Sequence, residues 1–220
     1  MADFLTYFKI LRGNEGGYCN RPTDTGGETY RGIARNSNPQ WSGWPLVDAT
    51  KARLYPGGVT PADWEPLSLV LEADPAVGDQ VLALYKADYW NTLNLDQVTS
   101  QSVANQVADH GVNSGVGRAA MMVRYLLATE FGQTLAAEGE LDPQVVALLN
   151  GVDQAHFYAR FVAMRQAFYD YLADSFTPAT AEALAAWYQF FSTDLKAGPN
   201  RQRQEFLASW LSRTEAPFTT

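Results

Sequence analysis

Apolar residues recur at helical spacing over most of the chain, and the stretches where that spacing fails stand out. Phe4, Leu5, Phe8, Ile10 and Leu11 put an apolar stripe on residues 3–13, with Asp3 placed to cap the helix. Between residues 15 and 33 the period breaks. Gly16, Gly17, Pro22, Gly26, Gly27 and Gly32 alternate there with Tyr18, Thr29 and Tyr30, which predicts a short twisted β-hairpin with tight turns. Pro39, Pro45, Pro56, Pro61 and Pro66 interrupt residues 34–66, which read as loop with short helices. Helical periodicity returns at Pro75. It predicts helices near 75–91, 100–113, 117–131, 143–151, 153–174, 178–196 and 200–213, with breaks at Gly151, Pro178 and Gly198-Pro199. The expected fold is mainly α with one small β-hairpin near the N-terminus. A boundary is expected between residues 132 and 142, giving a site-bearing part at 1–135 and a helical C-terminal part at 136–220.

Composition changes the picture mainly by exclusion. With 46% hydrophobic and only 18% charged residues, the 220-residue chain has the profile of an ordered globular protein. The net charge is −8, and no run of Lys or Arg is present to track phosphates, so nucleic acid is not an expected ligand. One cysteine, Cys19, forbids an internal disulfide, and with two histidines it cannot supply an ordinary structural zinc site. No metal or cofactor is expected. The N-terminal residues lack the basic start and apolar core of a secretory signal, and no apolar stretch approaches the roughly 20 residues of a membrane helix. The reading is a chain made in the cytoplasm without membrane insertion.

The chemistry is concentrated in Glu15-Gly-Gly-Tyr-Cys-Asn-Arg-Pro-Thr-Asp24-Thr-Gly-Gly-Glu-Thr29-Tyr-Arg-Gly-Ile. A carboxylic acid just past a helix end, followed by two glycines, suits a general acid in a cleft with room for a polymer. Partial burial would hold its proton near neutrality, as protonation of a glycosidic oxygen requires. Asp24 and Thr29 lie on the stretch that would fold back over Glu15 and could handle an attacking water. Asp24 is equally suited to bonding the amides of Gly26 and Gly27 as a turn residue. Glu28 is a rival for the second carboxylate, with a solvated hairpin residue as its stronger reading. Tyr18, Tyr30 and Trp90 could stack on sugar rings, core packing being the stronger reading for Trp90. Asn113 could bond an N-acetyl group or close a helix ahead of Gly115. His110 reads as a structural histidine, and His156, Asp109 and Cys19 carry no role beyond structure.

The segment resembles the N-terminal motif of glycoside hydrolase family 108, a family of N-acetylmuramidases. The matching residues are Glu15-Gly16-Gly17-Tyr18, Asn20, Asp24-Thr25-Gly26-Gly27-Glu28-Thr29 and Gly32-Ile33. Tyr85 with Tyr89-Trp90 is similar to the family's tyrosine and Tyr-Trp helix, and Asp109–Gly115 to its Asp-x-x-Val-Asn-Ser-Gly segment. Arg165, Tyr169 and the run from Phe206 through Trp210 to Arg213 resemble the family's attached helical peptidoglycan-binding part. Residues 35–63, rich in Trp, Pro and Gly, depart from the short loop common in the family.

The resemblance implies a lysozyme-like fold in which Glu15 is the acid, Asp24 the water-positioning carboxylate and Thr29 its partner. The implied reaction is hydrolysis of the β-1,4 bond between N-acetylmuramic acid and N-acetylglucosamine in peptidoglycan glycan strands. A lytic transglycosylase, or a silent wall-binding protein, are the alternatives, and the Glu15, Asp24 and Thr29 set favours hydrolysis. Without a signal, action on a cell wall requires an exit route such as a holin or a secretion machine. An injected effector would also imply an immunity protein.

Overall fold

The computed structural model describes residues 1–14, 16–21, 26–136 and 138–219. Eleven α-helices and three short strands are found among them. Two compact units divide the chain: residues 8–88, and residues 1–7 together with 89–219 of the described chain. The first helix, α1 (Phe4–Asn14), contributes residues to both. Asp3 caps it as the sequence predicts, accepting from the Thr6 amide at 2.8 Å.

In the smaller unit the predicted hairpin is a three-stranded antiparallel sheet: β1 (Tyr18–Cys19), β2 (Thr29–Tyr30) and β3 (Ile33–Ala34). Tyr18 faces Tyr30 and Tyr30 faces Ile33, so one face of the sheet is apolar and buried. The stretch read as irregular carries more helix than its prolines suggest. Helix α2 (Trp44–Leu54) runs three turns because Pro45 stands in the first turn, where the missing N–H has no intrahelical partner in any case. Pro66 is likewise tolerated near the start of α3 (Trp64–Glu72), a helix the prolines concealed in the sequence. Asp74 caps α4 (Pro75–Tyr85), beyond which residues Lys86–Asn91 widen into a π-helical turn. Leu11, Ile33, Val47, Leu67, Leu71, Val77 and Val81 form the core of this unit.

The larger unit is helical: α5 (Gln101–Ser114), α6 (Val116–Glu130), α7 (Pro143–Asn150), α8 (Gln154–Leu172), α9 (Pro178–Ala183), α10 (Ala185–Thr193) and α11 (Gln204–Ser212). Ser100, Asp142, Asp153 and Thr177 cap α5, α7, α8 and α9 through their side chains. The single helix expected at 178–196 breaks at Leu184 into α9 and α10. Long α8 buries Phe157, Phe161, Met164 and Phe168, and it packs on both α5 and α6. The expected boundary near residues 132–142 therefore falls within one compact unit. Trp90 is wholly buried here, stacked near Tyr7 and edge-on to Phe4, as the core reading of that residue had it.

Candidate functional site

The glycines of the motif bring the sheet against α3. A Cβ on Gly17 would stand 2.3 Å from Ser68 Oγ, and that oxygen accepts from the Tyr18 amide at 2.7 Å. Any side chain at Gly17 would push β1 off the helix. Across the sheet, Thr29 is half-buried and its hydroxyl donates to the Gly27 carbonyl at 3.1 Å. That bond uses the hydroxyl proton and leaves the oxygen available as an acceptor.

Beside Thr29, Glu28 corrects the reading of a solvated hairpin residue. Its side chain is only 10% exposed and lies between two cations, Arg35 at 2.6 Å and Lys51 at 2.5 Å. The Tyr18 hydroxyl donates to the same carboxylate at 2.8 Å. Arg35 and Lys51 also hold Asp48 on α2, at 2.7 and 3.2 Å. The cluster ties β1, β2, the residue after β3 and α2 together. Burial and the bond to Glu28 both push the Tyr18 hydroxyl well above the usual phenol range, so this group stays protonated. For Asp48, burial opposes ionisation, but the bonds from Arg35 and Lys51 hold its carboxyl below the ordinary value. The sequence offered no spacing signal for this cluster, because Lys51 lies in the proline-interrupted stretch.

Tyr18 and Tyr30 are 4% and 2% exposed, and the pleat turns their rings toward the core. Tyr30 does border a cavity of about 250 Å³ in the smaller unit, together with Phe8, Arg12, Arg31 and Glu72. Glu72 bridges the two arginines there, at 3.2 Å to Arg12 and 2.5 Å to Arg31. Cys19 is half-buried in β1.

Asn113 belongs to the larger unit, in the last turn of α5. Its amide approaches Asp109 Oδ2 and the Tyr169 hydroxyl, both at 3.5 Å, at the edge of a buried polar cluster. Asp109 takes Arg165 on one side at 2.7 Å and Arg213 on the other at 2.7 Å. Arg165 also bonds Gln106 and donates to the Tyr169 hydroxyl at 3.0 Å. The Asp109–Gly115 segment and the Arg165, Tyr169 and Arg213 positions, far apart in sequence, thus meet in one network. His110 is wholly buried beside Phe161, Phe168 and Tyr169, the structural role expected of it. Burial, reinforced by the Arg165 and Arg118 charges, holds its pKa well below 6.5, so the ring is neutral.

Glu15 and Asp24, the two carboxylates singled out in the sequence, lie outside the described residues. Among the described residues, no three His, Cys, Asp or Glu side chains gather as a metal-binding set, and no helix is long and apolar enough to cross a membrane.

Comparison with known families addresses the segment that carries these features. Residues 8–115 match the family described as Glycosyl hydrolase 108. This segment belongs to glycosyl hydrolase family 108. The family 108 segment contains the whole Glu15 to Ile33 motif, both ends of the Glu28 cluster and, at its far end, Asp109 and Asn113. Membership makes it a glycoside hydrolase segment of the peptidoglycan-degrading kind. Among solved structures, that of Brucella abortus SagA aligns over 96% of this chain and 92% of its own, with 19% identity and a TM-score of 0.48. No curated protein matches the sequence.

Proposed function

We propose that the protein is an N-acetylmuramidase that hydrolyses the β-1,4 bond between N-acetylmuramic acid and N-acetylglucosamine. The observation that carries this reading is the intact Glu15, Asp24 and Thr29 pattern inside the family 108 segment. Glu15 protonates the leaving glycosidic oxygen. Asp24 orients and deprotonates the attacking water, with the Thr29 oxygen as its partner, and the negative charge of Asp24 stabilises the oxocarbenium-like transition state. The half-buried Thr29 oxygen, with its proton engaged by Gly27, supports the acceptor role assigned to it. Tyr18, Tyr30 and Asn113 are the substrate-binding candidates, the tyrosines for sugar rings and Asn113 as a partner for an N-acetyl group. The helices of 136–220 are proposed to assist binding to the wall. Action on peptidoglycan would follow release through a holin or delivery by a secretion machine, with an immunity protein in the second case.

Replacing Glu15 with Gln keeps the shape but removes the transferable proton, so lysis of purified sacculi is expected to fall by about 10² to 10⁴-fold with folding unchanged. Retained lysis would remove Glu15 from the mechanism. Mass analysis of the products separates the rival reaction, since hydrolysis leaves reducing muramic acid ends and a lytic transglycosylase leaves 1,6-anhydro ends.

A further inference from the structure

A second cavity, of about 390 Å³, lies between the turn at residues 37–42 and α4. That volume is within the range of small-molecule sites, about 300 to 1,000 Å³. The turn is firmly held. The Trp41 indole N–H donates to the Gln80 carbonyl at 3.1 Å and the Trp44 indole N–H to the Asn38 carbonyl at 2.8 Å. The two indoles meet edge to face at 4.9 Å. A Cβ on Gly43 would stand 2.2 Å from the Trp41 ring, so the glycine is what lets that ring lie across the turn.

The lining of this cavity is chemically distinctive. Pro39, Ala83 and Leu84 give it an apolar share. The polar share comes from Asn38, Gln80 and the exposed Ser37, Gln40 and Ser42, of which Ser37, Gln40, Ser42 and Gln80 have side chains that bond to no protein group among the described residues. Asp88 is the only charged side chain on the wall, and Trp41 adds an apolar surface. Hydroxyls and carboxamides supply both donors and acceptors, which suits a ligand that carries hydroxyls and an amide. A carboxylate can take two adjacent hydroxyls but repels an acid. The cavity beside Tyr30 is different, being bordered by charges of both signs, Arg12 and Arg31 with Glu72, Asp74 and Asp79.

We propose that the Ser37–Ser42 cavity binds one neutral N-acetylated sugar of the N-acetylglucosamine type, in preference to a sugar bearing a carboxylate. The ligand class rests on the glycan-hydrolase reading; the geometry does not. The site offers the glycan a hold additional to the catalytic motif.

The test uses the intact chain labelled at its indole nitrogens, with tri-N-acetylchitotriose as the probe and the Trp41 indole signal as the site-specific readout. A saturable shift at Trp41 is expected. The double substitution Gln40→Ala and Gln80→Ala should weaken it about tenfold, the loss of two hydrogen bonds, without changing the melting temperature. As a matched pair, N-acetylglucosamine should bind there more tightly than N-acetylmuramic acid. No saturable shift at Trp41, unchanged affinity in the double variant, or equal or tighter binding of the acidic sugar would each overturn the inference. Sacculus hydrolysis separates the two claims. If it persists while Trp41 fails to respond, the inference alone is wrong; if Trp41 responds in a protein that hydrolyses no sacculi, the enzymatic reading alone is wrong.

Discussion

Among the carboxylates held between two cations, Glu28 in the smaller unit and Asp109 in the larger differ in their surroundings. Asp109 sits with Arg165, which is wholly buried, and Arg213, which is 10% exposed. Glu28 sits with Arg35 and Lys51, whose side chains are 30% and 23% exposed and share a second acid, Asp48. In the first cluster the ionic groups are almost sealed from solvent. In the second, water and Asp48 stand ready. The same arrangement therefore has different weight: the buried cluster is costly to break, while the exposed one fixes local geometry at modest stability.

Removing Asp109 is the harshest way to probe that contrast. Asp109→Ala leaves Arg165 buried without its counter-charge, and a loss of about 3 to 5 kcal/mol is expected, read as a lower denaturant midpoint. A loss below about 1 kcal/mol would show that Tyr169 and Gln106 suffice for Arg165 and would erase the distinction between the clusters.

Glu28→Gln should be milder. The amide keeps an acceptor for the Tyr18 hydroxyl but gives up the charge that Arg35 and Lys51 meet, at an expected cost of about 1 to 3 kcal/mol. Because β2 carries both Glu28's neighbour Thr29 and the register with Tyr18, sacculus lysis should fall more steeply than stability does. Equal losses in Asp109 and Glu28 variants would mean that burial is not what separates them.

Acidity offers a third test, directed at the larger unit. Burial depresses the His110 pKa in the folded state, whereas in the unfolded chain it titrates near 6.5. Below that pH the unfolded chain binds the extra proton, so the stability His110 contributes is fully present above about 6.5 and is lost as pH falls below it. The slope due to one proton is at most about 1.4 kcal/mol per pH unit, and His110→Phe should flatten the melting temperature between pH 6.5 and 5. An unchanged slope would assign the acid sensitivity to other groups.

The smallest effect belongs to Asp48, half-exposed at the rim of the Glu28 cluster. Asp48→Ala should cost under about 1 kcal/mol, since water and Glu28 still serve Arg35 and Lys51. Its ionic bonds hold its carboxyl below the usual range, so this contribution persists at neutral pH and fades as pH falls through the carboxylate range.

The sequence by itself determined what depends on neighbours along the chain. The helix start at Asp3 was legible because a cap bonds an amide three residues ahead, and the same local bonding places the starts at Asp74, Ser100, Asp142 and Asp153. The β element followed from the glycine and aromatic alternation, and the catalytic motif from its own linear pattern. The tertiary structure decided what depends on distant partners. Pro45 and Pro66 mark helix beginnings, which only the surrounding packing of Trp44, Val47 and Leu67 made worthwhile. Glu28 is paired and not solvated because Lys51, 23 residues away, is carried to it on α2. Asp109 meets Arg213 across 104 residues, a separation no local period can encode, because an ion pair is set by where two helices pack and not by spacing along either one.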